Sequence, residues 1–256
     1  MKRFLCILMI LTISACSLSG DDKQSQNGEE TEIVSTEHEN SDRDETAYLL
    51  KTISTFDSND NPIYSIEFSY DETGKKVSSK RQSINNDTTI LTQYSYDNNG
   101  KLIGIVSKIG GSSEPNVTIK EELFYDKEGR LVERRHTDAS EGELYVNRYE
   151  DGLLKRTDLY WADHSHYNGY YVYEYDKNSL IKSEKQYSKN DTLLFTVNYF
   201  YDEDNNLIKE IKTNTAGDTT QKIEYFYENN LLVKKINIAQ NEKTTDIYEY
   251  VENLNN

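Results

Sequence analysis

Cysteine is nearly missing from this chain of 256 residues, which has only Cys6 and Cys16. Beyond residue 16 there is therefore no disulfide, no thiol nucleophile and no cysteine-built zinc site. Proline occurs twice, as Pro62 and Pro115, and tryptophan once, as Trp161. The only long apolar run, residues 4–13, is about half of the roughly 20 residues a membrane-spanning helix needs, which argues against a transmembrane helix. Positive charge is short as well, with 29 Lys and Arg against 45 Asp and Glu, a net −16. Nucleic acid and anionic membrane surfaces are excluded as partners by that balance, because Lys and Arg must neutralise their phosphates. Catalytic signatures are missing too: G-x-S-x-G, H-E-x-x-H and a phosphate-binding glycine loop do not occur, and Gly110-Gly111-Ser112-Ser113 lacks a following lysine. Among 45 carboxylates no acid pair can be singled out by spacing. Neither an enzyme nor a cofactor is expected.

What is present begins with Met1-Lys2-Arg3, then the apolar run, then Ser14-Ala15-Cys16: a basic segment, an apolar segment and small residues at a cleavage point, the pattern of an export signal. Ile13-Ser14-Ala15-Cys16 resembles the bacterial lipobox. That resemblance implies cleavage after Ala15, lipid attachment (palmitate among the acyl chains) at Cys16, and a membrane contact made through the N-terminal lipid. Two or more acyl chains anchor a protein stably where one does not. Ser17 implies, by the sorting pattern of such lipoproteins, the outer membrane if the cell is Gram-negative. Residues 1–15 are thus expected to be a signal peptide, and residues 16–46 the lipidated cysteine with a tether. The tether has no aromatic residue, and its ten acids against Lys23 and Arg43 leave it at −8, a composition that favours an extended, disordered spacer. Without Lys2 and Arg3 the mature chain stands at −18, of which residues 47–256 carry −10.

From residue 64 on, one phrase recurs: two apolar residues two apart, an acid, a polar turn, and an aliphatic pair. Tyr94-Ser95-Tyr96-Asp97-Asn98-Asn99-Gly100-Lys101-Leu102-Ile103 is one copy, and Tyr199-Phe200-Tyr201-Asp202-Glu203-Asp204-Asn205-Asn206-Leu207-Ile208 another. The tyrosines before the acid fall at 70, 96, 125, 149, 175, 201 and 227, spaced by 26, 29, 24, 26, 26 and 26. Tyr248-Glu249-Tyr250 begins an eighth copy that the C-terminus truncates. A fixed period of this size marks stacked units that cannot bury their apolar side alone. Each unit reads as two strands, because Leu193, Phe195, Val197, Tyr199 and Tyr201 alternate onto one face, as do Ile223, Tyr225 and Tyr227. Asp151-Gly152 and Asn229-Asn230 suit two-residue type I′ hairpins, and Gly74, Gly100 and Gly129 suit slightly longer turns. An all-β, elongated antiparallel meander of about sixteen strands in about eight repeated hairpins is expected, with both prolines in the links between units.

The phrase resembles the YD repeat of the RHS family: tyrosine-aspartate, a glycine-containing turn, then leucine. The likeness covers almost all of residues 48–254. It implies β-hairpins wound into extended or shell-like sheets on secreted or surface proteins, with repeats that are not themselves catalytic. Some units depart from it: Tyr149-Glu150 and Tyr227-Glu228 replace the aspartate, and Lys76 stands at the first unit's leucine position. A four-bladed propeller with two units per blade is the alternative fold.

The 21 tyrosines suit half-buried strands, where the ring packs and the hydroxyl reaches a polar partner. The least repeat-like stretch is Trp161-Ala162-Asp163-His164-Ser165-His166-Tyr167-Asn168-Gly169-Tyr170. Asp163, His164 and His166 offer imidazole and carboxylate groups close together, but no second ligand cluster supports them, and no metal is expected. Trp161, Tyr167, Tyr170 and Tyr171 are the candidate ligand platform. The expected function is a lipid-anchored cell-envelope protein with a non-catalytic β-repeat domain for binding or scaffolding, its partner a protein or a glycan. Two alternatives are an immunity or antitoxin-like lipoprotein that neutralises a secreted toxin, and a glycan-binding surface lipoprotein.

Overall fold

The structure, a computed structural model, describes residues 48–111, 117–138, 142–161, 166–240 and 242–253. The expected signal peptide, Cys16, the tether, Pro115, Asp163 and His164 lie outside the described residues.

Sixteen strands follow one another. The first eight are β1 (Tyr48–Phe56), β2 (Pro62–Tyr70), β3 (Lys76–Ser83), β4 (Thr89–Tyr96), β5 (Leu102–Gly110), β6 (Val117–Tyr125), β7 (Leu131–Thr137) and β8 (Gly142–Glu150). The remainder are β9 (Leu153–Trp161), β10 (Tyr167–Tyr175), β11 (Ile181–Ser188), β12 (Leu193–Tyr201), β13 (Leu207–Asn214), β14 (Thr219–Glu228), β15 (Leu231–Ala239) and β16 (Glu242–Glu252). Every strand pairs antiparallel with its sequence neighbour, and β1 pairs with β16, so the sheet is a closed barrel. Pro62 opens β2, where no ladder donor is needed.

Closure corrects the expectation of an elongated open meander, and equally that of a four-bladed propeller. Its physical reason lies in a feature of every unit. Opposite each marker tyrosine the returning strand carries one extra residue: Ser69 pairs with Ser78 while Tyr70 pairs with Lys76, and Phe200 pairs with Lys209 while Tyr201 pairs with Leu207. The same shift occurs at Tyr96, Tyr125, Tyr149, Tyr175 and Tyr227, and at Tyr250 against Leu50 of β1. A bulge bends its strand and increases the local twist. Repeated at the same level in each unit, it coils the sheet until the last strand meets the first.

The marker tyrosines seal the bulges. Tyr96 Oη donates to the carbonyl of Lys76 at 2.8 Å, and Lys76 is the residue paired with the previous marker, Tyr70. The rule repeats for Tyr125 on Leu102, Tyr149 on Leu131, Tyr175 on Leu154, Tyr201 on Ile181, Tyr227 on Leu207 and Tyr250 on Leu232, at 2.7 to 3.0 Å. Tyr70 on Leu50, at 2.7 Å, closes the circuit, since Leu50 is the partner of Tyr250. Burial pushes the hydroxyls of Tyr70, Tyr175 and Tyr201 up to about 12, so they remain donors at neutral pH. Each bond occupies a carbonyl in an irregular part of the ladder, and its loss leaves that acceptor unsatisfied at a cost of about 1 kcal/mol. Tyr201→Phe is therefore expected to lower the melting temperature by about 2–4 °C, with unchanged near-ultraviolet circular dichroism. A drop of 10 °C or more would mean that the ring packing, not the hydroxyl, had been disturbed.

The aspartate of the phrase caps the turn. Asp71 Oδ1 accepts the amides of Thr73 and Lys75, Asp97 those of Asn99 and Lys101, and Asp202 those of Asp204 and Asn206, all at 2.8 to 3.0 Å. Hydrogen bonds from the Thr73 and Asn206 side chains, together with these amides, hold the Asp71 and Asp202 carboxyls below the ordinary range. These five-residue turns need a left-handed residue, supplied by Gly74 at φ 79° and Asn205 at φ 65°. Where the turn has only two residues, Asp151-Gly152 and Asn229-Asn230, both residues have positive φ and there is no such loop to cap. That is why Glu150 and Glu228 serve there. Lys76 is tolerated at the leucine position because its backbone carbonyl does the bonding, while its ammonium lies 4.5 Å from the centre of the Tyr94 ring.

Inward rows are buried, among them Ile53, Tyr64, Ile66, Ile90, Ile105, Ile119, Val197, Tyr199 and Ile223. Charged groups are buried with them and paired: Asp246 with Lys235 at 3.3 Å and Thr55 at 2.6 Å, and Glu121 with Arg134 at 3.7 Å and His136 at 3.6 Å. Outward rows at mid-strand carry exposed Glu67, Lys80, Gln93, Lys108, Lys120 and Glu122. Exposed apolar side chains stand on the outer wall as well, among them Val77, Ile103, Phe124, Phe200, Ile208 and Phe226 beside the marker tyrosines, so over β2 to β6 the charged and polar groups occupy mid-strand and the apolar ones lie toward the turns. No helix among the described residues is long and apolar enough to cross a membrane.

Candidate functional site

On one stretch of the outer wall, over β8 and β9, two outward side chains, Leu144 and Asp158, are buried rather than exposed. Thr157 marks the inward row of β9, since its hydroxyl meets Tyr173 Oη and Asn147. Arg156, Asp158 and Tyr160 then fall on the outward row by alternation. Their cross-strand neighbours are, in that order, Arg148, Val146 and Leu144 on β8 and Val172, Tyr170 and Tyr167 on β10. Tyr167 and Tyr170 are three apart and would face opposite ways on a regular strand, but a register shift between Tyr167 and Gly169 brings both outward. Gly169 permits this shift: a Cβ there would lie 2.2 Å from the carbonyl oxygen of Tyr187, and its φ is 145°.

Asp158 is only 2 % exposed although it belongs to the outer row. Two guanidinium groups account for that: Arg148 Nε donates to Oδ2 and Arg156 Nε to Oδ1, the latter at 2.6 Å. The side-chain bond from Asp158 holds the Arg148 guanidinium above its ordinary range. Burial pulls Arg156 down, yet the Asp158 bond outweighs it and the net direction is also up. Arg156 is fixed further, with Nη2 donating to Tyr167 Oη at 2.7 Å and the guanidinium carbon 3.7 Å from the centre of the Tyr170 ring. Tyr170 stacks on Tyr187 with centroids 4.9 Å apart and planes 12° apart, and its hydroxyl donates to Asp191 at 3.0 Å. Tyr160 and Tyr167 meet at 5.4 Å with a 58° tilt. Arg148, Arg156, Asp158, Tyr160, Tyr167 and Asp191, with Lys189 at the turn between β11 and β12, line an open recess on the wall. Its lining sums to +1 on a domain of −10.

The expected platform is divided by this geometry. Tyr167 lines the recess, and Tyr170 adjoins it through Arg156 and Asp191. Tyr171 faces inward, 5 % exposed, against Phe195 with ring centroids 6.4 Å apart. Trp161 ends β9 opposite Glu143, on the row of Leu159 and Thr157 rather than that of Tyr160, and its amide closes the turn on the His166 carbonyl at 3.0 Å. Adjacent strand residues cannot share a face, so Tyr170 and Tyr171 never form one surface. Arg148, Arg156, Asp158, Tyr160, Tyr187, Lys189 and Asp191 had escaped sequence reasoning. The available signal was the alternation Arg156-x-Asp158-x-Tyr160, which places an acid between a cation and a ring on the solvent side of a strand. No group of three His, Cys, Asp or Glu side chains among the described residues is placed to hold a metal ion. With Asp158 committed to two arginines, the recess offers ring faces and charged donors: the equipment of recognition.

Fold and site together define a closed antiparallel β-barrel with a charged, aromatic recess on its outer wall. No protein-family model matches this sequence, and no curated protein is similar to it in sequence. Solved structures with a related course of chain include a porin-like protein from Bacteroides uniformis, 10% identical, with a TM-score of 0.48 over 79% of this chain and 98% of that one. A porin-like protein from Bacteroides vulgatus is 9% identical, with a TM-score of 0.37 over 80% of this chain and 99% of that one. A complex described as TcdB2-TccC3-Cdc42 is 18% identical, with a TM-score of 0.36 over 72% of this chain, which spans 10% of that chain.

Proposed function

We propose that this is a lipid-anchored protein of the bacterial cell envelope, tethered through Cys16, whose barrel is a rigid, non-catalytic binding domain held clear of the membrane. The observation that supports the reading is charge at mid-strand on the outer wall: Lys80, Lys108, Lys120 and Glu122 are exposed where a lipid-embedded barrel carries apolar side chains, which favours membrane attachment through the N-terminus. Ile13-Ser14-Ala15-Cys16 supplies the means, and the −8 tether the distance. The outer membrane is the destination that Ser17 favours in a Gram-negative cell. Units that resemble YD hairpins and lie under a bonded ring of tyrosines fit a scaffold that presents surfaces. Cys16→Ala is expected to abolish labelling by radioactive palmitate and move the protein from the membrane to the soluble fraction. Continued labelling of that variant would refute the assignment.

A further inference from the structure

We propose that the outer recess over β8 to β12 binds an acidic saccharide, with Arg148 and Lys189 receiving the sugar carboxylate and the Tyr160–Tyr167 pair receiving the face of the ring. The proposal rests on reading the barrel as a binding domain, but not on the lipid anchor.

The charge count of the recess points to an anion. One carboxylate needs one cation, yet Asp158 is clamped by two guanidiniums, and the arrangement retains a positive charge after pairing. Lys189 adds another, and Asp191 offsets one. A purely structural ion pair would be satisfied by Arg156 alone, which is already locked by Tyr167 and Tyr170. The Arg148 side chain is instead 60 % exposed at the rim, with Asp158 orienting its Nε edge and the Tyr160 hydroxyl as a second partner. A guanidinium has five N–H donors in a planar fork, so an edge held by one carboxylate leaves the fork able to meet another. Among the described residues Lys189 makes no ion pair, and it stands at the tip of a turn where its flexible stem can follow a ligand.

The shape of the recess favours a sugar over a compact inorganic anion. Tyr160 and Tyr167 present a tilted pair of rings beside the cations, a surface for the C–H face of a pyranose with hydroxyl groups in reach. The Tyr170–Tyr187 stack against the Arg156 guanidinium holds that cation in place, so it needs little ordering on binding. Because the recess opens sideways on the wall, a residue within a longer polysaccharide can enter without a free chain end. The surrounding −10 domain opposes a densely charged polyanion but tolerates one carboxylate at a time.

The test uses the full-length protein purified in detergent, with oligogalacturonate and oligomers containing glucuronate or sialic acid as acidic probes, cellohexaose as the neutral probe, and inorganic phosphate as the simple anion. At least one acidic oligosaccharide is expected to bind at least about tenfold more tightly than cellohexaose, and Arg148→Gln and Lys189→Gln each to weaken it by about tenfold. Both side chains lie at the exposed rim, so their variants are expected to melt within a few degrees of the parent; Tyr160→Leu reads the ring contribution separately. Absence of binding to all three acidic probes overturns the proposal. So does equal affinity for cellohexaose, affinity unchanged in both charge variants, or displacement by phosphate at concentrations below those of the sugar. None of these results bears on whether Cys16 is lipidated.

Discussion

A chain lacking residues 48–56 is expected to lose the folded barrel, whereas a circular permutant that joins Val251 to Leu49 through Asn-Gly and opens between Asp151 and Gly152 keeps it. The truncated eighth unit explains both outcomes. Tyr250 pairs with Leu50, Val251 with Leu49 and Glu252 with Tyr48, with the same register shift that Tyr149 and Glu150 show against Leu154 and Leu153 within one hairpin. The first strand of the chain is therefore the missing second strand of its last hairpin. Removing β1 takes away the buried Ile53, the Thr55 bond to Asp246 at 2.6 Å and the Leu50 carbonyl that receives Tyr70, and it exposes the edges of β2 and β16 together. Unpaired edges of that length recruit other chains. Gel filtration of the deletion should give aggregate, and circular dichroism no cooperative melt. The permutant restores a two-residue turn of the kind found at Asp151-Gly152, where glycine has open space around it. A deletion that remained monomeric and melted cooperatively would disprove the role of β1 in closure.

Much of this fold could be read from the sequence because its causes are local. Alternation of Leu193, Phe195, Val197, Tyr199 and Tyr201 identifies a strand and its buried face, and Asp151-Gly152 identifies a hairpin, without any knowledge of the rest. Closure has its cause in a sum over the chain. The extra residue opposite each tyrosine is invisible in a periodicity that counts units, since a bulge changes only how Val77 or Ile208 sits in the ladder. Tyr48-Leu49-Leu50 did contain the clue, an aliphatic pair without a preceding half-unit, matched by Tyr248-Glu249-Tyr250 without a following one. The recess was half legible. Tyr167 and Tyr170 lie in the stretch that breaks the repeat, whereas Arg148 and Lys189 sit in ordinary units and join the site only through cross-strand neighbours. Tyr171 was grouped with Tyr170 by sequence proximity, which on a strand means the opposite face.

Glu210→Gln is expected to stabilise the barrel at pH 8 by about 3 kcal/mol and to leave it nearly unchanged near pH 4. Glu210 lies on the inward row of β13 between Tyr199 and Ile223 and accepts the Tyr225 hydroxyl at 2.5 Å. Burial drives its carboxyl from the ordinary 4.5 to about 7, although the Tyr225 bond pulls the other way. Burial also raises Tyr225, which keeps its proton and remains the donor. Between about pH 4.5 and 7 the folded state therefore holds a proton that the unfolded chain has released. Stability falls as pH rises through that window, and the full penalty applies above it. Glutamine keeps the shape and an acceptor for Tyr225 but has no charge to bury. In thermal melts the variant should gain about 6–10 °C at pH 8 and little at pH 4. Other buried groups leave a background slope common to both proteins: burial raises Glu143, which acts in the same sense, and lowers Lys235, which acts in the opposite sense at higher pH. The difference between parent and variant isolates Glu210, and an equal gain at both pH values would show that its proton is not involved.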